Sequence, residues 1–116
     1  MKAKKQFFKE CHLAGRQYYD VDEVWNELTI GTKLNLEYDE ENRYDDNAVA
    51  VTYRRKGKDG DGVKFILGYI PRSDNFEIAQ LLKMNWEPFV CRISKITPDN
   101  HYNDQIRLTI SVKPNL

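Results

Sequence analysis

The sequence has 116 residues, of which 41% are hydrophobic and 31% are charged, so its length fits one domain over residues 1–116 rather than two. Five Phe, seven Tyr and two Trp supply much of the apolar surface that a small core needs, which argues against a disordered chain. The 18 basic residues are balanced by 18 acidic ones, and this excludes a protein that coats nucleic acid through a uniformly basic surface.

The chain has the features of a cytoplasmic protein without a membrane partner. Residues 1–6 are basic but precede no apolar run of the kind that a signal peptide needs. No segment approaches the roughly 20 apolar residues of a membrane-spanning helix. Cys11 and Cys91 lie far apart and without CxxC spacing, which suits a reducing compartment. We therefore expect the protein in the cytoplasm, including at the nucleoid.

Hydrophobic alternation predicts β-strands in six segments, which in chain order are residues 7–13, 34–38, 48–53, 63–70, 89–96 and 106–112. The last is the clearest, because Ile106, Leu108 and Ile110 alternate with polar residues. Turn-forming residues 97–104 predict a hairpin with a long exposed tip between the last two strands. The charged, glycine-rich residues 54–62 predict a second hairpin loop.

Two helices are predicted, a longer one and a shorter one. Ser73, Asp74 and Asn75 offer N-cap side chains, and Glu77 has the spacing of a capping-box partner for Asp74. An apolar stripe follows, and the helix should end near residues 84–85. A shorter helical turn is expected over residues 24–28. The predicted fold is mostly β: a small OB-like or SH3-like barrel of about six strands with one longer and one short helix.

Motifs for catalysis or metal binding give no positive support for an enzyme. The chain contains no GxSxG, P-loop or HExxH pattern, so we predict no catalytic residue and no cofactor. A zinc site would have to draw on Cys11, His12, Cys91 and His101, but these residues lack the spacing of ligand pairs. Buried free thiols are the better interpretation of the cysteines, and no metal site is predicted.

Three segments carry exposed-looking aromatic residues beside amide or guanidinium groups. They are Gly15-Arg16-Gln17-Tyr18-Tyr19, the loop Asn42-Arg43-Tyr44-Asp45-Asp46-Asn47 entering an apolar strand, and Gly68-Tyr69-Ile70-Pro71-Arg72. For any one of them alone, an ordinary turn or core packing is the better explanation.

Together, in this order and spacing, the three segments resemble the HIRAN domain, and the resemblance extends over about residues 10–112. It implies a modified OB-type barrel, a domain that occurs attached to helicases and nucleases and also alone in small bacterial proteins. This chain resembles the stand-alone kind. Characterised members of the family capture the free 3′ end of single-stranded DNA, so the resemblance implies that ligand.

The resemblance also implies roles for individual residues. Tyr18 and Tyr19 match aromatic residues that hold the terminal bases, and Asp45 matches a carboxylate that accepts a hydrogen bond from the terminal 3′-hydroxyl. A continuing strand would bring a phosphate to the same carboxylate, and like charges would repel. Arg72 matches a basic residue that meets a backbone phosphate. The remaining matched positions are the loop residues Asn42 and Arg43, Tyr44 at the pocket wall, Tyr69 before the Pro71-Arg72 corner, and Tyr102, which matches a stacking aromatic.

Two positions depart from the family pattern. Gln17 stands where DNA-binding members carry an arginine before the paired tyrosines, and Arg43 replaces a proline common in the loop. We expect Arg16, Arg43 or the basic residues 54–56 to supply the missing phosphate contact. Tight binding of DNA is opposed by the acidic residues Asp39, Glu40, Glu41 and Asp46. The affinity for DNA should therefore be modest, salt-sensitive and micromolar, which corresponds to a binding free energy of about −8 kcal/mol.

The favoured function is a non-enzymatic module that recognises single-stranded DNA, in particular its free 3′-hydroxyl end. The context would be DNA repair, replication restart or mobile-element biology, with a helicase or nuclease as a further partner. One alternative is a protein-interaction barrel that has lost DNA binding, which the net charge of zero and Gln17 favour. Another is a nuclease or NTP-hydrolysing enzyme, an activity that family members possess through neighbouring domains.

Overall fold

In the part of the chain that the structure describes, six antiparallel strands form one sheet in the order β1-β6-β5-β2-β3-β4, which confirms the mostly-β prediction. The computed structural model describes residues 3–57 and 62–114. The strands are β1 (Gln6–His12), β2 (Lys33–Tyr38), β3 (Val49–Arg55), β4 (Val63–Tyr69), β5 (Phe89–Ile96) and β6 (Ile106–Val112), and the helices are α1 (Val21–Val24) and α2 (Phe76–Lys83). Short 3-10 turns cover Arg16–Tyr18, Trp25–Glu27, Arg72–Asp74 and Tyr102–Asp104.

The sheet curls until its two edges meet, which makes the fold barrel-like. Immediately after β1, the backbone N–H of Ala14 donates to the Tyr69 carbonyl at 2.9 Å, and the Tyr69 N–H donates to the Ala14 carbonyl at 2.9 Å. This single antiparallel bridge joins the end of edge strand β1 to the end of edge strand β4. It occurs at the position where the three aromatic segments of the sequence meet.

The core is built from the inward-facing residues of the strands and the apolar side of α2. Ile106, Leu108 and Ile110 of β6 are fully buried, as their alternation predicts, and Ile78 and Ala79 of α2 pack into the same core. Burial of this apolar surface is the main driving force for folding. The other face of the antiparallel sheet is exposed to water.

The start of α2 differs from the sequence prediction. The helix begins at Phe76 with Asn75 as its N-cap residue, and no side chain caps it, so the predicted Asp74–Glu77 capping box is wrong. Residues 72–74 form a 3-10 turn instead, and the Asn75 amide is engaged elsewhere, with Asp45. The short helix α1 also begins earlier than predicted, at Val21, and continues as a 3-10 turn to Glu27.

Both cysteines are buried in the core as free thiols. Burial raises the pKa of Cys11 to about 11 and that of Cys91 to about 12, so both stay protonated near neutral pH. Among residues 3–57 and 62–114, no three His, Cys, Asp or Glu side chains are grouped closely enough to hold a metal ion. None of the described helices is long and apolar enough to cross a membrane. The tip of the predicted glycine-rich hairpin, residues 58–61, lies outside the described residues.

Gly68→Ala should destabilise the fold through the bridge that joins the sheet edges. An added Cβ would lie 2.4 Å from the Ala14 carbonyl oxygen, a backbone atom that cannot move without breaking its bond to Tyr69. We expect a loss of about 2 kcal/mol in the free energy of unfolding, measured by urea denaturation. As the matched control, Asn35→Ala on the exposed side of β2 should cost less than about 0.5 kcal/mol. An equal effect of the two substitutions would contradict this account.

Candidate functional site

The loop between β2 and β3 is shaped by Asn42. Its side-chain oxygen accepts hydrogen bonds from the backbone N–H of Tyr44 at 2.9 Å and of Asp45 at 3.0 Å, and the Ala48 N–H donates to the Asp45 carbonyl at 3.2 Å. This Asx-type turn directs the side chain of Tyr44 towards solvent and that of Asp45 towards the protein. The ring of Tyr44 is 86% exposed, whereas the side chain of Asp45 is only 20% exposed.

Asp45 is held by three groups from two segments. Its Oδ2 accepts a hydrogen bond from the Asn75 side-chain amide at 2.8 Å, and its Oδ1 accepts from the Asn47 backbone N–H at 2.9 Å. The Arg72 Nε lies 3.7 Å from Oδ2. Asn75 is itself buried, so the carboxylate is fixed by a donor that has little freedom to move.

A pocket of about 180 Å³ opens beside this carboxylate. Its walls include Ala14 from the sheet bridge, Tyr44, Asp45 and Tyr69. Arg72 closes one side, donates a hydrogen bond to the Tyr44 carbonyl and keeps most of its side chain exposed. The pocket therefore combines a fixed anion, a partly free cation and aromatic surface, an arrangement suited to a ligand with a hydroxyl, a flat ring and a phosphate.

Tyr69 extends the pocket wall towards Tyr19. The Tyr69 hydroxyl donates to Asp39 Oδ2 at 2.6 Å, and the rings of Tyr69 and Tyr19 lie with centroids 5.4 Å apart at an interplanar angle of 54°. Burial, together with the hydrogen bond to Asp39, raises the pKa of Tyr69. Tyr18 is 78% exposed and Tyr19 is 41% exposed, so neither tyrosine of the pair belongs to the core.

The basic residues that were expected to contact a phosphate in place of the family arginine differ in their exposure and in their charge partners. Arg16 is buried and its Nη2 donates to Asp22 Oδ1 at 2.8 Å, so the expectation that it is free to meet a phosphate is not met. Arg55 pairs with Glu27 on the outside of the sheet. Gln17 and Arg43 are exposed, and of these two only Arg43 offers a charge.

The structure brings five of the predicted site residues to one pocket, lined by Asn42, Tyr44, Asp45, Tyr69 and Arg72. Gln17, Tyr18 and Tyr19 lie on or next to the 3-10 turn that follows Ala14, and Tyr102 lies on a separate turn near the β5–β6 tip. The contact of Asn75 with Asp45 was missed because the position of Asn75 before a helix indicates a cap. The contact of Asp39 with Tyr69 was missed because only folding brings these two residues together. The contact of Asn47 with Asp45 was missed because it is made by a backbone N–H, which the sequence pattern does not show.

Comparison with known proteins gives one family and two similar folds. A family model described as the HIRAN domain matches residues 7–114. A crystal structure of a protein from Lactobacillus plantarum is similar with a TM-score of 0.71 and 20% identity, covering 93% of this chain and 94% of that chain. The crystal structure of the HIRAN domain of human HLTF is similar with a TM-score of 0.55 and 17% identity, covering 97% of this chain and 84% of that chain. No curated protein matches the chain.

Tyr69→Phe should change how stability depends on pH. The folded-state pKa of Tyr69 is raised above the usual value of about 10, so the folded state holds this proton more tightly than the unfolded state. The resulting stabilisation is fully present below about pH 10 and is lost as the pH rises towards the folded-state pKa. The variant should be about 1 kcal/mol less stable at pH 8, and the difference should shrink at pH 11, both measured by urea unfolding.

The control for this prediction is Tyr44→Phe, which changes an exposed ring and should leave stability within about 0.5 kcal/mol at both pH values. A Tyr69→Phe difference that is the same at pH 8 and pH 11 would rule out the hydroxyl as its source.

Proposed function

Because the chain belongs to the HIRAN domain family, whose characterised members bind the 3′ end of single-stranded DNA, we propose that it is a non-enzymatic module for that ligand. The observation that carries the proposal is the fixed carboxylate of Asp45 in the wall of a pocket with aromatic and cationic neighbours. The proposed ligand is the free 3′-hydroxyl end.

Asp45 has the capacity to accept one more hydrogen bond. An ionised carboxylate offers about four acceptor positions, and only Asn75 and Asn47 donate to Asp45 at hydrogen-bond distance among the described residues. A terminal 3′-hydroxyl supplies the missing donor. An internal nucleotide would instead place a phosphate beside the carboxylate, and the repulsion between the two anions would exclude it. The pocket thereby distinguishes an end from a continuing strand without contacting a particular base sequence.

Exposed tyrosines supply the stacking surfaces that such a ligand needs. Tyr18 and Tyr44 present their rings to solvent. Burial of such apolar rings is favourable, and a bound ligand would provide it. A base stacked on an aromatic side chain contributes roughly 1 to 3 kcal/mol, and this contribution is largely independent of sequence. Arg72, whose side chain is largely exposed, is suited to the phosphate that links the last two nucleotides.

The charge distribution sets the expected strength of binding. The net charge is zero, and Glu40, Glu41 and Asp46 are exposed on the same loop as Asp45. These carboxylates repel the phosphates of a long strand, so affinity should be micromolar and should weaken with added salt. Such a module would act in the cytoplasm in repair, replication restart or mobile-element biology, by directing a helicase or nuclease to DNA ends.

A protein-binding role is the second candidate. It is favoured by Gln17 in place of the family arginine and by two large apolar side chains exposed at the ends of α2, Phe76 and Met84, which are 60% and 64% exposed. Loss of DNA binding in every test below would favour this role.

Asp45→Asn should abolish the preference for a free 3′ end. We expect the wild-type protein to bind a labelled ten-nucleotide strand with a 3′-hydroxyl at least about tenfold more tightly than the same strand with a 3′-phosphate. The variant should bind the hydroxyl strand about tenfold more weakly and should tolerate the phosphate better, because the repelling charge is gone. Fluorescence anisotropy at low and physiological salt provides the measurement.

Asp46→Asn is the matched control, since it removes the same charge from the adjacent exposed residue. It should leave the hydroxyl preference intact and change affinity only through the weaker general repulsion. Equal behaviour of the Asp45 and Asp46 variants would contradict a specific contact at Asp45.

Tyr18→Ala should weaken binding by about tenfold because a stacking surface is lost, whereas Tyr18→Phe should bind like the wild type because the ring is kept. Both substitutions change a side chain that is 78% exposed, so the free energy of unfolding should move by less than about 0.5 kcal/mol. Anisotropy with the 3′-hydroxyl strand measures the binding. Equal affinities for the two variants would argue against a base on Tyr18.

A further inference from the structure

The pairing between β2 and β5 stops while both strands continue. Their ladder ends at Leu34 and Cys91, although β2 extends to Tyr38 and β5 begins at Phe89. Beyond Leu34, the described strand partner of β2 is β3, on its other side. About four residues of β2, or about 13 Å, therefore form an open edge inside the sheet.

Backbone groups of this open edge point into the gap between the two strands. Successive residues of an antiparallel strand direct their N–H and C=O groups to opposite sides. Just before β2, the Thr32 carbonyl accepts a hydrogen bond from the Ile93 N–H of β5 at 3.0 Å. Just after β2, the Asp39 N–H donates to the Ala48 carbonyl beside β3 at 2.9 Å. Both observations place the N–H and C=O of Leu36 on the β5 side, where the ladder has ended.

A cavity of about 410 Å³ lies in this gap, and its volume is within the range of ligand-binding clefts. Its apolar walls are formed by Leu34 and Leu36 of β2, Leu82 of α2 and Phe89 of β5. Leu36 and Phe89 would form the next bonded pair of the ladder, so the cavity takes the place of strand pairing that is not made. We call this cavity the β2–β5 groove.

Positively charged side chains also line the β2–β5 groove. The basic wall residues are Lys33, Arg54 and Lys113. None of the three forms a salt bridge with a carboxylate in the described part of the chain. Of the two acidic wall residues, Glu37 pairs with Lys64 at 3.0 Å, which leaves Glu87 to balance three cations. The groove therefore favours an anionic ligand.

The strand register brings further positive charge close to the groove. Lys33 lies opposite Arg92 of β5, and Arg54 lies opposite Lys64 of β4. Like charges directly opposite each other on neighbouring strands destabilise a sheet. An anionic ligand in the groove would offset this repulsion.

We propose that the β2–β5 groove binds an extended acidic segment of a partner protein, which adds an antiparallel strand to the open edge of β2. The peptide backbone bonds to the N–H and C=O of Leu36. Alternate side chains of a strand point to opposite faces, so apolar peptide residues contact Leu36, Leu82 and Phe89. The intervening acidic residues face Lys33 and Arg54.

An open strand edge selects a peptide over a nucleic acid, because a phosphodiester backbone lacks the paired N–H and C=O groups that complete a ladder. The groove shares no wall residue with the pocket beside Asp45. Lys33 lies about 17 Å along β2 from Tyr38, after which the loop of Asp45 begins. The groove is thus a separate site, and this inference does not rest on the proposed function.

The probe is a labelled seven-residue peptide that alternates glutamate with valine and has glutamate at both ends. Three matched peptides accompany it. One carries lysine in place of glutamate, one is N-methylated at the three valines, and one is N-methylated at the three glutamates that follow a valine. Residues paired across an antiparallel ladder share a face, so the valine N–H groups face Leu36 and the glutamate N–H groups face away. Anisotropy measures affinity, and NMR follows the backbone amide of Leu36.

We expect the alternating peptide to shift the Leu36 amide resonance and to bind at least about tenfold more tightly than the lysine peptide. Methylation of the valine amides should abolish binding, whereas methylation of the glutamate amides should weaken it less. The proposal fails if the alternating peptide does not bind at about 1 mM, or if methylated glutamates cost as much affinity as methylated valines.

Lys33→Glu should weaken binding of the alternating peptide by about tenfold. The matched control is Lys95→Glu, which makes the same charge change at an exposed residue of β5 outside the groove and should change affinity by less than about twofold. Equal effects of the two substitutions would overturn the charge assignment.

DNA binding is measured on the same variants with the ten-nucleotide strand. Lys33→Glu should keep the preference for a 3′-hydroxyl, and the strand should not displace the peptide from the wild-type protein. Displacement of the peptide by the strand would assign these cations to nucleic acid and overturn the peptide proposal. Peptide binding without any preference for a 3′-hydroxyl would instead overturn the proposed function and leave the groove assignment standing.

Discussion

The hydrogen bond from the buried amide of Asn75 to the carboxylate of Asp45 connects two segments that are thirty residues apart, and the pocket depends on it. Without that donor, Asp45 would be one more carboxylate on an acidic surface loop. With it, the carboxylate faces a pocket beside Arg72, and the start of α2 is tied to the β2–β3 loop. Asn75 gives up its role as a side-chain helix cap for this contact, so local helix stability is exchanged for the position of a functional group.

The surroundings of the pocket depend on the backbone bridge between Ala14 and Tyr69 as much as the pocket depends on the Asn75–Asp45 hydrogen bond. By joining the two edges of a curled sheet, it brings the turn with Tyr18 and Tyr19 next to the end of β4. The same turn continues into Arg16, which packs against Trp25 and Tyr102 on its other side. One closure of the sheet therefore organises the pocket beside Asp45 and the packing of Arg16, and Gly68 permits it because a larger residue would collide with the Ala14 carbonyl.

Strands were the most predictable part of the molecule. Each predicted strand lies within two residues of an observed one at both ends, because alternation of buried and exposed side chains is a direct consequence of strand geometry. The family resemblance, carried by three short motifs, is confirmed by a match over almost the whole chain. The start of α2 was less predictable, since the side chains of Asp74 and Asn75 suit a cap by local rules and only the folded chain decides which contacts they make.

The sequence by itself determined the strands, the family and five of the residues that line the pocket beside Asp45. Tertiary structure decided how each polar group is used, because hydrogen-bond and charge partners come from segments distant in the chain. Arg16 shows the difference most clearly: its position two residues before Tyr18 in the sequence suggests a phosphate contact. In the fold it is buried against Trp25 and Tyr102 and paired with Asp22, since a charged side chain that loses water must gain partners.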